Sequence, residues 1–560
     1  MGMIAVRPLS RSVEQQRRGN LNSSEIGHNP DRGPLPGGTP CSLPGAVEIL
    51  GRQKDEPLDV TIRLRASADH AHSRGLTSLS REELGSSPLR HRRYLTRSEF
   101  RRFHSASPAD IESICAFAKQ FGLFITSACG RRRTVELRGA ICDIERAFGT
   151  SLRPYALPSG GCQGRRGKLS LPAEVFPIVE GVFGLENFRP SKPFHSLSGN
   201  PLAASGASAI ERIADQYHFP RDLSGKDECI GILAFGGGIA PSDLHRYFRE
   251  LHGNVPDLRF EDFTSANQPN LNSQHDRELA LDIEIAGGLA PGARIVIYFA
   301  TNDEKGWVDA LSRAIHDDEN KPSVLSISWG AFEDWWGRDT IKVMTQLFEE
   351  AASLGITICA ASGDDGCAMD GNGHCRVTFP ASSPLVLACG GSSLLADDEE
   401  IVWNVRNRSA SGGGISDVVN RPDWQSSPSA LASSPSPSRR NPNFDGRQLP
   451  DVAGAANTTF SVYVGGCYHN GAGGTSAVAP LWSALVARLN EGLRRRGLPR
   501  VGYFNPLLYK DRFLQNTFRD ITTGHNDPFG RKGYNARSGW DPCTGWGSPN
   551  GERLLEALSL

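Results

Sequence analysis

At 560 residues the chain exceeds what a single hydrophobic core organises, so two or more domains are expected. Its 61 basic and 62 acidic side chains leave a formal net charge of -1, so nothing global points to nucleic acid or a membrane surface. The absence of any run of about 18 apolar residues excludes a hydrophobic span, and the abundant glycine and proline fit a loop-rich α/β enzyme with linkers.

Residues 1–20 carry Arg7, Arg11, Arg17 and Arg18 but no apolar stretch, so no conventional signal peptide is recognisable. Residues 1–55, rich in Ser, Gly, Pro and Arg without periodicity, are expected to form a disordered leader. Alternation at Val60, Ile62 and Leu64 predicts a strand. An Arg-rich crossing follows (Arg90, Arg92, Arg93, Arg97, Arg101, Arg102), and then a helix from about Ser107 with Ile111, Ile114, Phe117 and Ala118 at helical spacing. Strands over 124–129 and 133–138, a helix over 141–148 ended by Gly149, and a strand over 179–183 complete the series. That order predicts a small split βαβ sandwich over about 56–185.

Ser, Gly and Ala dominate 195–209, the composition of a linker or an exposed cleavage zone. Beyond it, apolar runs at 229–234, 295–299, 324–328, 356–361 and 385–389 alternate with helical patterns at 241–251, 278–289, 307–315 and 340–352. Such alternation predicts a parallel sheet covered on both faces, with ligand chemistry beyond the carboxyl ends of its strands. The 12 cysteines show no zinc-like spacing. Cys359 and Cys389 read as buried small residues, and a disulfide between Cys367 and Cys375 could close a short polar loop.

Three stretches carry possible chemistry. Gly473-Gly474-Thr475-Ser476-Ala477-Val478-Ala479-Pro480 runs into an apolar helical pattern. A helix that begins at Ser476 aims free N–H groups and the positive end of its dipole at any anion formed there, so Ser476 suits a nucleophile and an ordinary N-cap equally. Glu278 and Asp282 lie four residues apart on one helix face. Buried, such a pair raises one pKa and shares a proton, as a general base in mild acid needs; exposed, it is a solvated acidic face. Glu284 points away from the pair, to the helix surface or into packing. Finally, Ala360-Ala361-Ser362-Gly363-Asp364-Asp365-Gly366 ends a small-residue strand in a turn. Asp364 either holds that turn or, protonated, donates to an oxyanion.

Glu278-x-x-x-Asp282, Ser362-Gly363-Asp364 and Gly474-Thr475-Ser476-x-x-x-Pro480, in this order, resemble the sedolisins, the serine-carboxyl peptidases, and above all their kumamolisin-like branch. Ala290-Pro291-Gly292-Ala293, Ser326-Ile327-Ser328-Trp329-Gly330 and Pro450-Asp451-Val452-Ala453-Gly454 support the likeness over nearly all of 210–560. Tyr94-Leu95-Thr96 and Glu145-Arg146-Ala147-Phe148-Gly149 extend it, more weakly, toward the N-terminus. The resemblance implies a subtilisin-like α/β fold, a parallel sheet with helices on both faces, preceded by a small α+β ferredoxin-like pro-domain. The expected division is a disordered leader at 1–55, the pro-domain at 56–190, a linker and cleavage zone at 191–209, and the catalytic domain at 210–560.

The same likeness implies a self-processing zymogen of an acid-active endopeptidase. Ser476 would be the nucleophile, Glu278 the general base, Asp282 its support, and Asp364 the oxyanion donor where neutral subtilisins use Asn. It implies one structural calcium ion, held by the Asp520 and Asp541 side chains with carbonyls of Ile521, Arg537 and Gly539. Where some members place an additional Glu, this chain has Ala234 before Phe235-Gly236-Gly237-Gly238, so a shorter acid network is expected; Trp329 is present. The implied partners are protein or peptide substrates and the chain's own pro-domain, in an extracellular monomer. Arg92, Arg93, Arg101 and Arg102 either pair with acids of the catalytic domain at neutral pH, to loosen as carboxylates protonate, or form a solvated basic surface. A subtilisin-type Ser-His-Asp enzyme needs a His-Gly-Thr motif, which 210–560 lacks, and a non-catalytic relative has no need of all four site residues.

Overall fold

The computed structural model describes residues 32–35, 46–49, 55–67, 81–157, 160–188, 191–194, 196–197, 206–263, 267, 273–370, 373–395, 399–425, 440–457, 460–530 and 533–560. In the N-terminal domain the strand Pro57–Leu64 turns Val60, Ile62 and Leu64 toward the helices Pro108–Gln120 and Ile141–Phe148. The first helix starts where Ser107 accepts the Ala109 N–H and Pro108 fills its first turn. The second stops at Gly149, whose φ of +59° is the left-handed cap that favours glycine. Four antiparallel strands line up as Val179–Phe183, Pro57–Leu64, Thr134–Ala140 and Phe124–Cys129. That is the fourth, first, third and second of the expected strands, the ferredoxin-like order. The third begins at Thr134 rather than 133 because Arg133 has a φ of +57° and belongs to the turn.

The expectation of a leader without structure through residue 55 is corrected at two places. Arg32–Pro34 pairs with Ser170–Pro172, and the Arg32 guanidinium donates to the carbonyls of Ala147 (2.5 Å) and Ser170 (2.6 Å). Val47–Glu48 pairs with Tyr155 and Ala156. Positions 1–31, 36–45 and 50–54 lie outside the described residues. The stretch 191–209 is not wholly linker either. Lys192–Pro193 and Ser196–Leu197 are strands, and the helix Gly206–Gln216 begins before residue 210.

The C-terminal domain is built on an eight-stranded sheet. Asp257–Asp262, Arg294–Phe299, Cys229–Ala234, Val324–Ile327, Thr357–Ala361, Leu387–Leu394 and Val452–Ala455 run parallel, and Glu400–Val402 pairs antiparallel at the edge. One face carries Gln274–Leu289 and Thr475–Arg495; the other carries Glu304–Ile315 and Arg338–Ser353. Asp257–Asp262 escapes the apolar pattern because it is an edge strand, half exposed along its length. Cys367 and Cys375 are joined by a disulfide, and Cys359 and Cys389 are buried on adjacent strands. No described helix is long and apolar enough to cross a membrane.

The second face of the N-terminal sheet explains two buried polar residues. Thr61 and Arg63 alternate with the core residues, and they point at helices of the C-terminal domain rather than solvent. Thr61 Oγ1 lies 3.2 Å from Asp309 Oδ2. Arg63 donates to Glu350 (2.6 Å) and Glu180 (3.1 Å), Arg133 also pairs with Glu350, and His316 Nε2 lies 2.7 Å from the other Glu350 oxygen. The expected arginine cluster is largely displaced by this group. Among the described residues, Arg101 alone of the four pairs with an acid of the C-terminal domain, Asp318, at 3.3 Å. Arg92 instead donates to the carbonyls of Val501 and Tyr503, Arg93 pairs with Glu99 of its own domain, and Arg102 stacks on Phe103.

Candidate active site

Ser476 is the second residue of the helix Thr475–Arg495, directly after Gly474, whose φ of +97° suits glycine. The helix is buried over most of its length, so the serine is held on a rigid element. Glu278 and Asp282 lie on the helix Gln274–Leu289, whose start is fixed by reciprocal bonds between Ser273 and Asp276. Both acids are buried, at 0% and 1% exposure, which rules out a solvated acidic face. Burial pushes both pKa values up, and the neighbouring Glu278 charge pushes Asp282 further. The nearby Ser476 side chain acts against the rise at Glu278.

Ser328 joins these groups, a role its sequence did not reveal. Its Oγ lies 2.5 Å from Asp282 Oδ1 and 3.2 Å from the Ser476 carbonyl. One hydroxyl proton serves one of those contacts, so a protonated Asp282 donating to Ser328 satisfies both. The Ser328 carbonyl in turn accepts from Ser476 Oγ at 3.3 Å. Beside it, Trp329 packs against Phe235 and His275, and Phe235 stacks on Trp307 at 3.9 Å. The buried Ala234 thus leads into an aromatic cluster. Glu284 is not on the helix surface: it is buried and both its oxygens accept the Tyr463 N–H, at 3.0 and 3.2 Å.

Asp364 stands just beyond the carboxyl end of Thr357–Ala361. Its Oδ1 accepts from the Thr475 N–H (2.8 Å) and hydroxyl (2.7 Å), which ties it to the residue before the serine. Its Oδ2 is buried and has no hydrogen-bond partner among the described residues. Burial pushes this carboxyl up to about 8, against the two bonds from Thr475.

A segment of the chain itself lies across this site. Lys192–Pro193 pairs with Trp329 and Gly330, and Ser196–Leu197 pairs with Ala472 and Gly473. Between them the Phe194 N–H donates to the Ser328 carbonyl (3.1 Å), and the Phe194 carbonyl accepts the Ser476 N–H (2.9 Å). The Phe194 ring is buried against Ala361 and Ala479. A Cβ on Gly330 would come within 2.8 Å of that ring, and one on Gly363 within 3.7 Å.

Far from the serine, the loops around Asp520 and Asp541 meet. Asp520 Oδ2 accepts the Gly539 N–H (2.8 Å), and the buried Asp541 accepts from the N–H groups of Arg537, Cys543 and Thr544. The four residues Asp520, Arg537, Gly539 and Asp541, with Ile521 adjoining, therefore occupy one neighbourhood. Among the described residues no group of three His, Cys, Asp or Glu is placed to hold a metal, so a cation here would need backbone carbonyls.

Comparison with known proteins gives this geometry a family. Residues 52–188 match the Pro-kumamolisin activation domain, and 264–539 match the Subtilase family. Kumamolisin of Bacillus sp. (strain MN-32) is 38% identical over 94% of this chain and 93% of its own length. Sedolisin of Pseudomonas sp. (strain 101) is 27% identical over 81% of this chain and 80% of its own. A solved structure of Pseudomonas sedolisin, a serine-carboxyl proteinase complexed with two molecules of pseudo-iodotyrostatin, is similar at a TM-score of 0.53 and 26% identity. It covers 63% of this chain and 98% of that one. With a relative this similar along almost its whole length and an activation-domain match at its own residues 52–188, the chain belongs to the sedolisin family of serine-carboxyl peptidases, hydrolases of peptide bonds.

Proposed function

We propose that the protein is an acid-active endopeptidase made as a zymogen, and that it first cuts its own chain after Phe194. One observation carries this reading: the Phe194 carbonyl accepts the Ser476 N–H, as the carbonyl of a bound substrate would. In the proposed reaction Ser476 Oγ attacks that carbonyl carbon and passes its proton to Glu278. The developing oxyanion is met by the Ser476 N–H and by a proton on Asp364 Oδ2, the buried oxygen that no described group otherwise engages. Glu278 returns the proton to the leaving nitrogen as the peptide C–N bond breaks. Water, deprotonated by Glu278, then releases the acyl group from Ser476. Asp282, held by Ser328, supports Glu278.

Acid suits Asp364, which donates only while protonated, whereas Glu278, whose carboxyl burial pushes up, acts as base only as the deprotonated member of its proton-sharing pair with Asp282. The test is an acid shift of the full-length protein beside Ser476→Ala. Shortening of the wild type alone, with a new N-terminus at residue 195, is the expected result. Shortening of both chains, or of neither, would overturn the reading.

The loops at Asp520 and Asp541 fit a calcium ion by donor chemistry, since two carboxylates and the carbonyls of Ile521, Arg537 and Gly539 are all hard oxygen ligands. We assign them that role, in which the ion would bind the two loops together. The disulfide between Cys367 and Cys375 is of a kind that persists in oxidising compartments, which supports maturation outside the cytoplasm.

A further inference from the structure

Lys192 reaches across the cleft to a carboxylate beside the catalytic one. Its Nζ lies 2.8 Å from Asp365 Oδ2, and it is the one cation on that carboxylate among the described residues. Lys192 is two residues before Phe194, and its backbone pairs with Gly330 on the strand where a substrate would lie. Asp365 itself is well fixed. Its backbone forms a parallel bridge with Ala410, the Gly366 N–H donates to the Ala410 carbonyl (3.0 Å), and the Ala410 N–H donates to the Asp364 carbonyl (2.9 Å). The backbone that carries this carboxylate is therefore held by contacts that do not involve the linker.

We propose that Asp365 makes this enzyme select a cationic residue at the position two before the cut residue, so that peptides of the form Lys/Arg-Pro-Phe are preferred substrates. The proposal rests on the peptidase reading above and adds its specificity. Cutting after Phe194 and departure of the linker remove Lys192, leaving Asp365 with a vacated partner position at the edge of the site. An incoming lysine or arginine restores the pair, whereas a glutamate meets a like charge. Both side chains of the observed pair are partly solvated, at 52% and 33% exposure, so the preference is modest. Exposed pairs of this kind correspond to about two- to fivefold in kcat/KM for lysine over a neutral residue, with a similar penalty for glutamate.

The experiment uses acid-processed enzyme prepared from the full chain and quenched fluorescent peptides X-Pro-Phe-Ser-Leu, with X as Lys, norleucine or Glu. Assays at about pH 5.5 keep ordinary carboxylates ionised. Asp365 also bears on the Asp364 proton, but that effect acts on all three peptides alike and cancels in their ratios. The expected order is Lys, norleucine, Glu for wild type, a flattened order for Asp365→Asn, and a reversed one for Asp365→Lys. The wild-type ratio should shrink as salt is raised, because exposed charge pairs are screened. An unchanged ratio in both variants would overturn the specificity proposal and leave the peptidase intact. Failure of wild type to cut any of the peptides, or casein, would overturn both.

Discussion

Glu350→Gln tests how acid frees the pro-domain. Glu350 sits on the catalytic helix Arg338–Ser353 and is shared by Arg63 and Arg133 of the pro-domain and by His316 of the catalytic domain, all buried. Burial disfavours the Glu350 charge, but Arg63, Arg133 and His316 overcome it and hold the carboxyl well below its ordinary value of 4.5. Burial pushes His316 below its ordinary 6.5, with Glu350 opposing. In both cases the docked state binds fewer protons than the separated domains. The Glu350 contribution is full above 4.5 and lost as pH falls toward its lowered value; that of His316 is full above 6.5 and shrinks below it. Acid therefore loosens the interface from both groups.

Removing one partner of a buried ion pair costs about 3–5 kcal/mol. Glu180 stays beside both arginines, which favours the lower end. A titrating group changes docking by about 1.4 kcal/mol per pH unit, so the release midpoint of Glu350→Gln, in which His316 is the one of the two groups left to titrate, should move toward neutral by about 2 units. The assay steps freshly purified full-length protein through a pH series and reads the shortened fraction on gels, with Ser476→Ala as the uncut control. A midpoint that stays put, or moves to more acid pH, would refute the argument that this cluster sets activation.

Other outcomes follow from the site. Asp364→Ala should lower kcat/KM about 100–1,000-fold, the worth of one oxyanion donor. Asp364→Asn keeps a donor that does not titrate, so the fall in kcat/KM as pH rises through the Asp364 pKa, pushed up to about 8, should vanish from the profile. Gly330→Ala places a Cβ 2.8 Å from the Phe194 ring position, so turnover of peptides with Phe before the cut should fall relative to those with Ala, by about 1–3 kcal/mol of overpacking. If the Asp520 and Asp541 loops hold calcium, chelation should lower the Tm of wild type and leave Asp541→Asn unaffected.

The sequence by itself determined the two-domain plan and most of its elements. Alternation at Val60, Ile62 and Leu64 and the apolar runs of the parallel sheet are local patterns, set by which face of each element must leave water. The three motifs also named the acids and the serine, because their residue types and order are legible in one dimension. Tertiary structure decided what those residues meet. Only packing shows that Glu278 and Asp282 are buried rather than solvated, that Glu284 accepts the Tyr463 N–H, and that Ser328 bridges Asp282 and the serine segment. Thr61 and Arg63 are the polar positions of the strand that carries Val60 and Ile62, and only the packing of the catalytic helices shows them buried. The Ser- and Gly-rich linker carried no pattern of its own, because an isolated extended segment has no apolar face to bury. Its strands exist only where the cleft supplies partners, at Trp329–Gly330 and Ala472–Gly473.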